Sequence, residues 1–338
     1  MKIFLSSLLI SSLFLLYGGG MSSSELRSLA KQNNLKSTPK SYSQLLKLFD
    51  NPKNRMSTKK INLGRTLFFE PLLSRDESIT CASCHKIGEG GDDNLPTAIG
   101  FKNRKNPKHL NSPTVLDTAN AKFLFWDGRA KSLEEQAGGP IQAHFEMNLT
   151  PKELVERLSK NPMYKESFKE VFDGNITFSD VKKAIGAYER TLLTRGKYDD
   201  FLDGNDTAIS KNAKEGLKLF IRKGCVECHY GVALGAENIQ RFPKHGKMFG
   251  FKNIGNFKGK DDKYLFRVPL LRNITKTAPY YHNGMVKNLK DVIKIESQYE
   301  INDELNNEQI NLIYDFLKTL DGNLVDYGLR GTSNNPIY

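Results

Sequence analysis

The sequence predicts a mainly α-helical protein built as two similar domains joined by long loops, and three observations predict it. A helical stretch running from glycine to phenylalanine occurs twice, as Gly64-Arg65-Thr66-Leu67-Phe68 and as Gly216-Leu217-Lys218-Leu219-Phe220. Each copy is followed by a Cys-x-x-Cys-His segment and later by an apolar stripe at helical spacing: Val181, Ile185, Tyr188 and Leu192 in the first half, Ile310, Ile313, Phe316, Leu317 and Leu320 in the second. The length of 338 residues suffices for about two domains, each able to bury its own core.

From the amino end, Met1-Lys2, the apolar run Ile3 to Tyr17 and Gly18-Gly19-Gly20 have the charged start, short apolar centre and small-residue exit of a secretory signal. Residues 1–20 are therefore expected to be a signal peptide and the protein to work in the periplasm. Ser6, Ser7, Ser11 and Ser12 interrupt a run already short for a spanning helix, and no cysteine follows it to carry a lipid. The first domain is expected over residues 41–204. Within it Thr150 as N-cap and Pro151 in the first turn open a helix to about Lys160, and Ser179 and Asp180 do similar duty before Val181. The turn-forming run Asp203-Gly204-Asn205-Asp206 marks the boundary, and the second domain follows over 205–330. Two stretches, 88–113 and 231–269, are rich in Gly, Asn, Lys and Pro and lack periodicity, so they are expected to be long loops, functional or ordered by a bound group.

Sparse, aperiodic glycine excludes a collagen-like chain, and 20 Phe with 13 Tyr supply too much core-forming bulk for a disordered one. The balance of 50 Lys and Arg against 38 Asp and Glu, net +12, suits a nucleic acid, an acidic protein partner or simply a solvated lysine-rich surface. Export disfavours nucleic acid.

All four cysteines fall in two segments, Cys81-Ala82-Ser83-Cys84-His85 and Cys225-Val226-Glu227-Cys228-His229. Cys-x-x-Cys-His is the attachment motif of c-type haem: two thiols three positions apart reach both vinyl groups of one porphyrin, and the adjacent imidazole swings under the iron. Zinc needs four converging ligands, and these pairs lie in different halves of the chain. The expectation is two covalently bound haem c groups, with Cys81, Cys84, Cys225 and Cys228 as thioether attachments and His85 and His229 on the irons.

Several further segments, in order, resemble the bacterial di-haem cytochrome c peroxidases, a family that includes the MauG-like enzymes. They include Leu73-Ser74-Arg75-Asp76, Asn111-Ser112-Pro113-Thr114-Val115, Phe125-Trp126-Asp127-Gly128-Arg129, Glu135-Gln136-Ala137, Gly139-Pro140 and Glu146-Met147. Phe266-Arg267-Val268-Pro269, Leu271-Arg272-Asn273 and Ala278-Pro279-Tyr280-Tyr281-His282 continue the match, which runs from about Leu63 to Gly322. The resemblance implies two cytochrome c-like domains, the first with a peroxidatic haem and the second with an electron-transfer haem. It implies reduction of hydrogen peroxide to water with electrons from a small c-type cytochrome or similar donor. By position, Glu146 is the distal acid and base, Gln136 its companion, and Trp126 the residue between the haems. A Ca²⁺ site from the Asn111 side chain and the carbonyls of Thr277 and Pro279, and a homodimer, are also implied.

Two positions depart from that pattern. Many relatives carry a histidine sixteen residues after the first haem histidine, which blocks the peroxidatic iron; here the place is Phe101, which cannot ligate, so that iron is expected to be open. His109, in the same loop, is an alternative ligand. Typical relatives also place a methionine fourteen residues after the histidine matching His282, on the second iron; here the place is Glu296. Candidates for that ligand are Glu296, Met285, Tyr299 or none. An anionic oxygen favours ferric iron and a lower potential than a thioether does. Besides a peroxidase, the sequence leaves a MauG-like enzyme oxidising residues of a partner protein, and a non-catalytic di-haem electron carrier. Glu146 and Gln136 argue against the carrier, which needs no distal acid.

Overall fold

The computed structural model describes residues 21–246 and 256–329; the expected signal peptide, residues 1–20, lies outside them. The described chain is mainly helical. Its helices are α1 (Ser23–Gln32), α2 (Tyr42–Phe49), α3 (Thr58–Phe68), α4 (Cys81–Cys84), α5 (Leu133–Gln142), α6 (Pro151–Lys160), α7 (Pro162–Phe172), α8 (Phe178–Glu189), α9 (Lys197–Leu202), α10 (Lys211–Arg222), α11 (Leu289–Tyr299) and α12 (Asn307–Lys318). Three short antiparallel ribbons accompany them: β1 (Ile99–Gly100) with β2 (Arg104–Lys105), β3 (Thr194–Gly196) with β6 (Gly322–Leu324), and β4 (Ile239–Arg241) with β5 (Leu265–Arg267). No described helix is long and apolar enough to cross a membrane.

The repeated glycine explains the repeated architecture. A Cβ on Gly64 of α3 would lie 1.9 Å from the Ala184 carbonyl oxygen of α8, and one on Gly216 of α10 would lie 1.9 Å from the Leu312 carbonyl oxygen of α12. Only a residue without a side chain lets two helix backbones approach that closely. One turn on, the phenylalanine of each motif meets a ring of the same partner helix: Phe68 with Tyr188 at 5.4 Å, and Phe220 with Phe316 at 5.2 Å. Leu67, Phe168, Val181 and Ile185 complete the first core around α3, α7 and α8. Leu217, Ile313 and Leu320 belong to the second, around α10 and α12.

The second core also draws on chain from before the expected boundary. Leu26 and Ala30 of α1, Leu35, and Tyr198 and Phe201 of α9 are buried in it. Arg27 pairs with Asp206, and Leu35 bridges to Gly231. Helix α6 starts as the sequence predicts, with Thr150 capping the Glu153 amide. Helix α8 starts earlier than Ser179 and Asp180 suggest: Thr177 is the N-cap, its hydroxyl accepting the Asp180 N–H at 3.1 Å. The residue types are alike, but only Thr177 has the extended backbone that aims a hydroxyl at the free amides.

Candidate active site

Each Cys-x-x-Cys-His segment opens on its own cavity. Cys81, Cys84 and His85 line the first, and Cys225, Cys228 and His229 line the second; all four thiols are unbridged. The histidines are held alike. His85 Nδ1 lies 3.2 Å from the Gly91 carbonyl, and His229 Nδ1 lies 3.1 Å from the Leu234 carbonyl. A proton fixed on Nδ1 by a carbonyl leaves the Nε2 lone pair available to a metal. Burial lowers the pKa of both imidazoles, that of His229 to about 4, which favours the neutral, ligating form. Among the described residues no three His, Cys, Asp or Glu side chains converge as a zinc site would require. The two segments therefore fit covalent haem.

Gln136 and Glu146 both line the first cavity. Gln136 is carried by α5, whose N-cap Ser132 accepts the Glu135 amide. Glu146 follows α5 on a tight turn, its N–H donating to Ala143, with Met147 donating to Pro140 and Leu149 to Ile141. The turn is clamped from outside by the Phe101 N–H, 2.8 Å from the Glu146 carbonyl, and by the Arg75 N–H, 2.9 Å from that of Met147. Burial pushes the Glu146 carboxyl up to about 7, against the pull of the Arg129 cation. Gly100 lines the cavity beside this turn. Phe101 is buried, with Lys102 and Arg104 over its ring. Lys108 and Leu110 also line the cavity, whereas neither Phe101 nor His109 is among its lining residues.

Trp126 lines both cavities. Its indole N–H donates to the Asn111 carbonyl at 2.8 Å, and its own carbonyl accepts the Arg267 N–H at 2.9 Å. The sequence shows nothing of what surrounds it. Arg267 lines both cavities too, is 3% exposed and stands over the indole at 5.6 Å; its Nε has no hydrogen-bond partner and burial lowers its pKa to about 10. His282 lies edge-on to Trp126 at 6.3 Å and stacks on Phe266 at 4.7 Å. Glu189, at the end of α8, also lines the first cavity, and burial pushes its carboxyl up to about 8. Arg267 and His282 lie within motifs visible in the sequence; only the long-range packing of β5 against the tryptophan loop reveals their common location.

In the second cavity, Glu296 lies on the last turn of α11 and Glu300, its C-cap, follows one turn on, with Lys244 nearby. Burial, reinforced by Glu300, pushes the Glu296 carboxyl up to about 8, while its pairing with the Tyr281 hydroxyl acts the other way. Met285 and Tyr299 are not among the lining residues. At the junction of the cavities the Asn111 amide reaches the Pro279 carbonyl at 2.7 Å, and both residues line the second cavity together with Thr277.

Comparison with known proteins agrees with this arrangement. The family described as di-haem cytochrome c peroxidase matches residues 58–207. Cytochrome c551 peroxidase of Nitrosomonas europaea is 38% identical over 273 residues, 79% of this chain and 81% of that protein. Cytochrome c551 peroxidase of Pseudomonas aeruginosa is 38% identical over 278 residues, 79% of this chain and 80% of that protein. Among solved structures, a MauG-like protein associated with microbial copper homeostasis has a TM-score of 0.71 at 25% identity, covering 83% of this chain and 95% of its own. The paired haem-attachment segments, the helical frame and these relatives together show that the chain belongs to the di-haem cytochrome c peroxidase family, oxidoreductases that reduce peroxide.

Proposed function

We propose that hydrogen peroxide is reduced in the first cavity, with Glu146 as proton relay and Gln136 as the group that orients the peroxide. The observation that carries this is the presence of Glu146, its carboxyl pushed up to about 7, in the same cavity as Cys81, Cys84 and His85. Haem c, held by Cys81, Cys84 and His85 in one half and by Cys225, Cys228 and His229 in the other, supplies the redox chemistry when bound. Glu146 takes the proton of the near peroxide oxygen and returns it to the far one, so the departing oxygen leaves as water. A carboxyl with a pKa near neutrality does both halves of that task, because neither transfer is strongly uphill. The Gln136 amide, carrying donor and acceptor, holds the peroxide in line. The absence of Phe101 and His109 from the lining residues supports a distal side left to peroxide from the outset, without reductive activation.

Trp126, supported by Arg267, passes electrons between the halves. Glu296 would be the second protein ligand of the second iron, beside His229, a reading supported by its place in the cavity wall, which Met285 and Tyr299 do not share. Ca²⁺ is held by the Asn111 side chain and the carbonyls of Thr277 and Pro279. The donor is a small c-type cytochrome or a similar periplasmic protein. Residues 41–204 and 205–330 are the two cytochrome c-like domains, with α1 laid across the second. The deciding experiment is rapid mixing of the haem-loaded protein with hydrogen peroxide. Glu146→Gln is expected to lower peroxide turnover by about 10²–10⁴; undiminished turnover would refute the assignment.

A further inference from the structure

The segment just after the first haem histidine lies against the carbonyls of the junction. Gly90 packs on the 276–277 turn, where an added Cβ would come within 3.1 Å of the Lys276 carbonyl oxygen and 3.2 Å of Thr277 Cγ2. The Asn94 amide, oriented to suit its neighbours, donates to the carbonyls of Lys276 and Ala278 at 2.9 and 3.0 Å. Asp93 accepts the Ser112 hydroxyl at 2.8 Å, next to Asn111. Between these anchors, Asp92 lines the cavity that Asn111, Thr277 and Pro279 also line.

Asp92 is 1% exposed, and its Oδ1 has no hydrogen-bond partner. The charges that act on it are Asp93, of like sign, and Lys86, of opposite sign. A carboxylate buried with an oxygen unsatisfied, next to a second carboxylate, costs free energy that a cation at that oxygen would offset. Asn111 is satisfied as it stands, its amide N–H donating to the Pro279 carbonyl at 2.7 Å; with a cation between them the amide would turn its oxygen inward instead, so that both oxygens face the ion.

We propose that Asp92 is an anionic protein ligand of the divalent cation at this junction, adding a carboxylate to a site otherwise made of one amide oxygen and two peptide carbonyls. The inference rests on the calcium assignment above and adds a charge to it. An all-oxygen set with a carboxylate selects a hard cation, and net ligand charge is a main determinant of how tightly Ca²⁺ is held. The test is calorimetric titration of the chelator-treated, haem-loaded protein with Ca²⁺. Wild type is expected to bind, and Asp92→Asn, which keeps shape and loses charge, to bind at least about tenfold more weakly. Asp92→Ser, which also loses reach, should bind no better than Asp92→Asn. Thermal unfolding gives a second readout: Ca²⁺ should raise the melting temperature of wild type more than that of either variant. Equal Ca²⁺ affinity in wild type and both variants would overturn the role of Asp92 while leaving the calcium assignment standing. If wild type takes up no Ca²⁺, both fall.

Discussion

Phe101 donates its backbone N–H to the carbonyl oxygen of Glu146 at 2.8 Å, so the position where many relatives carry a blocking histidine is here part of the support for the acid. The preceding residue leaves no slack. A Cβ on Gly100 would lie 2.2 Å from the Phe145 carbonyl oxygen and 2.7 Å from Glu146 Cα, both backbone atoms. Gly100→Ala must therefore displace the Glu146 turn. Displacing a catalytic group by about 1 Å costs on the order of a hundredfold in rate. Peroxide turnover in the haem-loaded variant should fall by about that factor with haem content unchanged. Full turnover would mean that Glu146 is not held from this side.

Glu146 also sets a pH dependence. Burial pushes its carboxyl up to about 7, and the Arg129 cation pulls in the opposite direction. In the proposed relay Glu146 begins by accepting a proton, so the carboxylate would be the active form, and the rate of reaction with peroxide should rise with pH through about 7 and level off above it. Arg129→Leu removes the charge that favours the carboxylate. Its midpoint should therefore move upward; a downward move or none, measured by rapid mixing across the pH range, would contradict the electrostatic assignment.

Legibility differed between the frame and the site for a physical reason. The haem segments and the Gly-to-Phe repeats are local in sequence, because thioether spacing and the face that one helix brings to a crossing each involve residues within one or two turns. Thr177 was concealed by an equally plausible Ser179 and Asp180 two and three residues on; only backbone conformation separates them. Leu26, Ala30 and Leu35 carry no local sign that they pack across the second core. Arg267 and Asp92 gain meaning only from chain segments far away in sequence, brought together at Trp126 and at Asn111. Glu146 itself would pass for a solvated loop residue without the motif around it.

The paired helix crossings give a prediction whose sign is set by magnitude. Alanine in a helix interior is favoured over glycine by about 1 kcal/mol. At Gly64 and Gly216 the added methyl would meet a carbonyl oxygen of the facing helix at 1.9 Å, and overpacking of that kind costs about 1–3 kcal/mol or more. The clash wins because the obstacle is backbone on both sides. Gly64→Ala and Gly216→Ala should each lower the denaturant midpoint of the haem-loaded protein, the first by loosening α3 on α8 and the second α10 on α12. A rise in either midpoint would show that the crossing is wider than 1.9 Å implies.

Glu296 bears on the electron donor. It lies in the second cavity with Glu300 one turn away, and the Tyr281 hydroxyl is paired with it. An anionic oxygen on iron favours the ferric state, whereas a thioether favours the ferrous state. Glu296→Met restores the residue type that typical relatives place there and removes a carboxyl from a cavity also lined by Asp92, Glu227 and Glu300. Both changes act in one direction. The potential of the second haem should rise by on the order of 0.1 V, and the magnetic resonance signal of the ferric protein should change at that haem alone. A redox titration with an unmoved midpoint, together with an unaltered ferric signal, would remove Glu296 from the iron. A raised midpoint would mean that this peroxidase takes its electrons from a donor of lower potential than its methionine-bearing relatives require, since the donor must be able to reduce the haem it feeds.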